Sequence, residues 1–423
     1  IISIYIYLKI GKNEFEMLYR RSSEERGNWY ISHLLTHDFA VKELRLGALE
    51  SYFLNKYDKN NQLFISQENK VNKSKMKYGL FLGVLEVIIQ AVILLIAIRE
   101  AFLGVLLIGY VTTFIRALST MQTSTQNIVN NIYSFYNGSM YMKLLYDFTR
   151  KKADDRDQTK NIINTIQTLE FEQVSFSYDG KDKAINNISF FIKSGEKIAI
   201  VGKNGSGKST IFKLACGLYD NYEGNIYING INLRSIQKET YYKRISALFQ
   251  DYLKYELTLR ENIGLGELSK LHDDEALINA LRYTEVDSVF FQGQGKFNSI
   301  NLEQQLGNWF EEGRQLSGGQ WQKIALSRAY LKDADCYFLD EPSSALDPVS
   351  ETKIFKTFFD LSQDKIGLFI THKPSITQFV DQILYLEDGC VVEKGSFADL
   401  NSTGKKFKHL LDKEIGVTYD TSN

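Results

Sequence analysis

A chain of 423 residues with a 44% hydrophobic share is long enough for two or three domains with packed cores. Its 50 basic and 51 acidic side chains leave a net charge of −1, which excludes the basic footprint of a nucleic-acid-binding protein. The three cysteines, Cys216, Cys336 and Cys390, have no metal-ligand spacing; two lie in apolar runs and read as inert buried thiols of a reducing compartment.

The chain opens on IISIYIYLKI, apolar from the first residue and without a basic n-region or a cleavage motif. This stretch, 1–10, reads as the tail of a longer apolar segment, so the chain is expected to be a fragment that lacks its original N-terminus. Residues 11–78 are polar but patterned, with Ile31, Leu34, Leu35, Phe39, Leu46, Leu49 and Phe53 on the stripe of long amphipathic helices. Two apolar runs follow, GLFLGVLEVIIQAVILLIAI at 79–98 and AFLGVLLIGYVTTFIRAL at 101–118, separated by Arg99 and Glu100. Twenty helical residues span about 30 Å, the thickness of one hydrocarbon core, so the pair reads as a membrane hairpin. Lys73, Lys75, Lys77 and Arg116 flank it and place its base on the cytoplasmic side. Glu86 and Gln90 lie one turn apart on a single face of the first run and suit a helix lining a polar cavity. The pattern of 119–148 continues a helix out of the bilayer.

Charged and aperiodic residues at 149–168 form a linker. From 169 onward short β-rich runs give way to alternating helix and strand patterns, the mark of an α/β domain extending to 411, and 412–423 is a polar tail.

Three stretches of this second part carry chemistry. KIAIVG followed by KNGSGKST is a buried strand, a glycine-rich turn and a helix start. Gly202, Asn204, Gly205, Ser206, Gly207, Lys208, Ser209 and Thr210 form the expected phosphate cradle, in which backbone N–H groups close around the phosphates and the helix N-terminus adds positive potential. Lys208 is expected at the β- and γ-phosphates, and the Ser209 hydroxyl on Mg²⁺. CYFLDEP ends an apolar strand in two carboxylates: Asp340 to hold Mg²⁺ through water, and Glu341 to orient and polarise the attacking water. IGLFITH and ISALFQD are strands ending in His372 and Gln250. A parallel sheet would bring His372 to the γ-phosphate crevice, while a surface or satisfied-core histidine is its alternative, and Gln250 reads equally well as part of an exposed polar turn. RQLSGGQWQ, 314–322, is a second glycine-rich loop about a hundred residues from the first, too far along the chain to serve the same phosphates by local geometry.

GKNGSGKST, FQD, RQLSGGQWQ, CYFLDEP, SALD and ITH stand in the order found in ATP-binding-cassette ATPases, and residues 169–411 closely resemble that family. The resemblance implies an α/β P-loop cassette with an antiparallel β subdomain and a helical signature subdomain. It also implies a head-to-tail dimer, in which Ser317, Gly318, Gly319 and Gln320 reach the partner's ATP. By the same resemblance Tyr178 stacks on adenine, Gln250 senses Mg²⁺, Asp347 couples the two sites and His372 is the switch histidine. Trp321 stands where a basic residue is common, and Lys373-Pro374 where Arg-Leu is frequent.

The order of membrane segment before cassette on one chain is similar to exporter half-transporters. Residues 27–57, with VKELRLGALESYFLNKY at 41–57, resemble the cytoplasmic coupling region of such exporters. The segment 1–148 then holds the last part of a transmembrane domain, with membrane helices near 1–10, 79–98 and 101–118. The wording of 307–348 and of FQDYLKYELTLRENIGLG looks closest to exporters of lantibiotics and related peptides. The resemblance implies a homodimeric, multi-pass plasma-membrane protein in contact with lipid, with its cassette in the cytoplasm, hydrolysing ATP with Mg²⁺ to export a peptide. Export of lipid or drug-like amphiphiles is the alternative, and a soluble ABC ATPase outside transport is a further one, opposed by the apolar hairpin.

Overall fold

The computed structural model describes residues 2–103, 108–153, 160–292, 299–342, 346 and 348–415. Two compact units divide the chain, Ile1–Arg156 and Asp157–Asn423.

The first unit is all helical: α1 (Ile2–Thr36), α2 (Asp38–Leu46), α3 (Glu50–Phe102) and α4 (Ile108–Ala153). The 53 residues of α3 reach about 80 Å, well over twice a hydrocarbon core. Polar pairs join α1 to α3 at steps of seven residues. Asn28 donates to Asn61 (2.9 Å), Arg21 pairs with Glu68 (3.0 Å) and Lys75 pairs with Glu14 (2.8 Å). The residue numbers of each pair share one sum, which is the register of two antiparallel helices meeting every second turn. Arg21 is buried, its guanidinium also bonded to Glu25 and laid over the Phe64 ring. Tyr133 of α4 joins by donating to Glu14 at 2.5 Å.

Two sequence expectations change here. Arg99 and Glu100 do not separate two helices; α3 runs through both to Phe102, because neither residue breaks a helix and no glycine or proline intervenes. The second apolar run is therefore divided: Ala101 and Phe102 end α3, Leu103 is in a turn, residues 104–107 lie outside the described ones, and 108–118 belong to α4. Among the described residues one helix, Glu50–Glu100, is long and apolar enough to cross a membrane. The stripe read through Phe39 and Leu46 is also not a buried face. The backbone of His37 is extended and re-phases the helix, so α2 buries Ala40 and Leu44 while Leu46 is 91% exposed.

The second unit begins with β1 (Thr168–Ser177), β2 (Lys183–Lys193) and β3 (Lys197–Gly202), then α5 (Lys208–Ala215), β4 (Glu223–Ile228), β5 (Ile231–Asn232), α6 (Lys238–Arg244) and β6 (Ile245–Leu248). Helices α7 (Leu259–Gly264) and α8 (Asp274–Tyr283), the short pair β7 (Phe291–Gln292) and β8 (Ser299–Ile300), and α9 (Gly318–Leu331) follow. The unit continues through β9 (Cys336–Asp340), α10 (Pro348–Leu361), β10 (Ile366–Ile370), β11 (Gln382–Glu387), β12 (Cys390–Gly395), α11 (Phe397–Thr403) and α12 (Lys406–Ile415).

An antiparallel sheet has the order β2-β1-β4-β5. The main sheet has the order β12-β11-β3-β10-β9-β6, parallel except for its β12 edge. Period-two alternation divides the main-sheet side chains between two cores. Ile198, Ile200, Phe338 and Leu368 face the antiparallel sheet and α5, whereas Ala199, Val201, Leu339 and Phe369 face α10 and α12. A third core, built on Leu259, Leu281, Trp321 and Ile324, belongs to a helical subdomain of α7, α8 and α9. Trp321, the departure noted in the signature segment, is thus a core residue, 3% exposed. Cys216 and Cys336 are buried, and desolvation pushes both thiols up.

Candidate nucleotide-binding site

Strand β3 ends in the middle of the main sheet, where Gly202 turns the chain toward α5. Gly207 closes the turn as the residue before α5, with φ +99°. A Cβ there would stand 2.7 Å from both the Ala184 carbonyl oxygen and Ile185 Cγ2. Gly207→Ala is therefore expected to destabilise the protein by about 1–3 kcal/mol through backbone strain and to weaken ATP binding. Chemical denaturation and nucleotide titration of the same preparation check both effects.

Lys208 is buried with its ammonium folded back over the loop, donating to the carbonyls of Gly202 and Lys203, both at 2.9 Å. Burial holds it below the usual lysine range, and the nearby Glu341 and Asp340 charges act in the opposite sense. Ser206 Oγ is buried without a hydrogen-bond partner.

A cavity of about 610 Å³ sits over this loop. Asn204, Gly205, Gly207, Lys208, Ser209 and Thr210 line it, and Tyr178, Gln250, Glu341 and His372 close its sides. The three last residues come from the ends of β6, β9 and β10, adjacent strands of the main sheet. Their side chains meet at Glu341: His372 Nε2 lies 2.6 Å from one carboxylate oxygen, and Gln250 Nε2 donates to the other at 2.9 Å. Both oxygens of Glu341 are thus engaged. Its backbone has φ +48°, uncommon for a side-chain-bearing residue, and is held by its own N–H on the Ile370 carbonyl (3.0 Å) and by Gln322 donating to its carbonyl (3.1 Å).

Asp340 lies beneath the cavity, 5% exposed, with Oδ1 buried and unpartnered. Desolvation pushes its carboxyl up to about 6, against the favourable contact with Ser209. An orphaned buried carboxylate oxygen beside a hydroxyl and an amide is a hard-oxygen donor set that fits Mg²⁺. Asp340, Ser209 and Gln250 are the residues that would hold the ion.

Tyr178, half exposed, forms an aromatic wall with Phe176 and Tyr219, whose rings meet it edge-on at 4.9 and 5.6 Å. Its hydroxyl lies 3.2 Å from Thr210 Oγ1. Such a wall offers an aromatic face to a flat base.

Ser317, Gly318, Gly319 and Gln320 do not line this cavity. They form the start of α9, where Ser317 accepts from the Gln320 N–H and Gln320 accepts from the Ser317 N–H, a reciprocal cap. Asp347 lies outside the described residues. Two contributors escaped the sequence reading. Gln322 appeared there only as a neighbour of the signature, yet it is 1% exposed and braces Glu341; a glutamine on the apolar face of a helix was the available signal. Tyr219 carries no motif in the sequence, and only the fold sets it beside Tyr178.

Residues 185–344 match the family model for ABC transporters. The subtilin transport ATP-binding protein SpaT of Bacillus subtilis is 43% identical over 416 residues, covering 98% of this chain and 67% of that protein. The nisin transport ATP-binding protein NisT of Lactococcus lactis subsp. lactis is 40% identical over 403 residues, covering 94% of this chain and 66% of that protein. The chain thus spans about two thirds of the length of these relatives. A solved structure of a bacterial Atm1-family ABC exporter with ATP bound shares the fold, with a TM-score of 0.77 over all of this chain and 72% of that one, at 20% identity.

Proposed function

Because the chain belongs to the ABC transporter family, as an exporter half-transporter whose cassette binds ATP and couples its hydrolysis to transport, we propose that two copies pair head to tail and export a lantibiotic-like peptide. The observation that carries the catalytic part is the convergence of Gln250 and His372 on Glu341 at the side of the glycine-lined cavity. Glu341 accepts the proton of the attacking water as ATP is split to ADP and phosphate; one of its oxygens first exchanges its present partner for that water. Bound Mg²⁺ supplies positive charge to the phosphate oxygens. Lys208 turns from the loop carbonyls to the phosphates, and Tyr178 packs against the adenine.

The position of the signature supports pairing. Ser317 and Gly318 are exposed at a helix start outside the cavity of their own chain, which suits them to a partner's triphosphate. Ser317→Ala is expected to cost about 1 kcal/mol through the lost cap, and to lower ATP turnover far beyond what that loss explains. Unfolding and ATPase measurements on the same variant separate the two effects.

The peptide cargo is supported by where the similarity lies. It extends over 98% and 94% of this chain, through the helical unit as well as the cassette, in proteins named for subtilin and nisin transport. The protein sits in the plasma membrane as a multi-pass component, with Lys73, Lys75 and Lys77 at the cytoplasmic end of its apolar run. The deciding experiment is the ATPase activity of the full-length transporter in lipid nanodiscs, with a lanthionine peptide and a lipid amphiphile added separately. Stimulation by the peptide is the expected result, and stimulation by the amphiphile alone reassigns the cargo.

A further inference from the structure

The polar ladder between α1 and α3 stops where the apolar run of α3 begins. One step of seven beyond Glu14–Lys75 reaches Tyr7 and Leu82, and both are in the wall of a cavity of about 570 Å³. Glu86 and Gln90 of α3 and Gln122, Gln126 and Asn130 of α4 supply its polar lining. Glu86 and Gln90 are half-buried and share the cavity wall with Leu85 and Ile89, whereas Val84, Val87, Ile88 and Val92 are exposed outside it. The exposed apolar side chains outside the cavity suit lipid-facing positions, and the two polar ones share the cavity with the amides of α4.

Glu86 lies seven residues, or about 10 Å, inside the run. Among the described residues its carboxylate makes no ion pair and no hydrogen bond. An ionisable group at such depth is costly and persists where it has a partner or a task. A carboxylate in a low-dielectric wall attracts a cation strongly, and the surrounding amides can each donate and accept toward a peptide backbone. The volume takes a few residues, not a whole peptide.

We propose that Glu86 is the cation-recognising group of the cargo site, pairing with a lysine or terminal ammonium of the exported peptide while the facing amides hold its backbone. This rests on the export reading above.

The test uses the full-length transporter in nanodiscs, with ATPase activity titrated against a lysine-containing amphipathic peptide and its fully acetylated counterpart. Glu86→Gln is expected to raise the half-stimulating concentration of the cationic peptide by about tenfold, the scale of one charge-assisted contact, and to leave the acetylated peptide within about twofold. Gln90→Glu, which adds a charge one turn along the same face, is expected to lower that concentration for the cationic peptide only. Gel filtration confirms that each variant is assembled. Equal responses of the native protein and both variants to both peptides overturn the assignment of Glu86 and leave peptide export standing. No response of the native transporter to either peptide, with ATP still hydrolysed, overturns both.

Discussion

Glu341→Gln is expected to lower ATP turnover of the full-length transporter by about three orders of magnitude, within the range that loss of a general base produces. The reason lies in the contacts of the carboxylate. Its two oxygens accept from Gln250 and face His372 Nε2, and its backbone is fixed on both sides by Ile370 and Gln322. A glutamine keeps the shape and the backbone anchors but has one oxygen, so one of the two contacts meets an amide N–H₂ instead. It also cannot take a proton from water. ATP should therefore bind normally and stay unsplit, and the protein should be retained as a nucleotide-loaded dimer. Phosphate release and co-elution of labelled ATP in gel filtration measure the two halves of this result. Turnover within tenfold of the native protein would assign the base elsewhere.

Asp340→Asn should act in opposite directions on stability and on activity. The native carboxyl is buried beneath the cavity with an unpartnered oxygen, and its ionisation is displaced upward to about 6. Between the ordinary aspartate value and about 6, the folded protein holds a proton that the unfolded chain has released. Stability from this group therefore falls as pH rises through that window, and the cost is complete above it. That cost is on the order of 3 kcal/mol at neutral pH. A neutral amide removes it, so the nucleotide-free variant should unfold at higher temperature than the native protein at pH 7.5, with the gap closing toward pH 4. The variant should lose Mg²⁺-dependent hydrolysis, because a ligand oxygen is gone. Native Mg-ATP affinity should likewise weaken as pH falls through about 6, when Asp340 takes up a proton. Calorimetry across pH and ATP titration with and without Mg²⁺ provide the readouts; an Asp340→Asn protein less stable than native at neutral pH contradicts the argument.

The candidate site was legible to different depths. Gly202 to Thr210 could be read in sequence because a strand end, a glycine turn and a helix start are contiguous, and their backbone geometry is local. The paired carboxylates Asp340 and Glu341 were legible as the end of an apolar strand for the same reason. Their division of labour was read there too, from their order at the strand end, and burial agrees with it: Asp340 is orphaned beneath the cavity, whereas Glu341 reaches its wall. Gln322 was missed because its role depends on α9 lying against the turn after β9, a contact that no spacing encodes.

The sequence by itself determined the class of protein, the two-part organisation, and the glycine loop proposed to receive phosphate, since each depends on composition, on hydrophobic period or on adjacent residues. Tertiary structure alone decided which distant residues meet. The strand order β6, β9, β10, β3 brings Gln250, Glu341 and His372 to one edge of one cavity, although the chain separates the first two by 91 residues. It also decided that α3 runs unbroken past Glu100, and that Gln122, Gln126 and Asn130 of α4 share a cavity wall with Glu86. The physical reason is common to these cases. Periodicity and propensity act within a few turns of chain, whereas strand neighbours and helix faces are selected by which apolar surfaces can be buried together, or left to lipid.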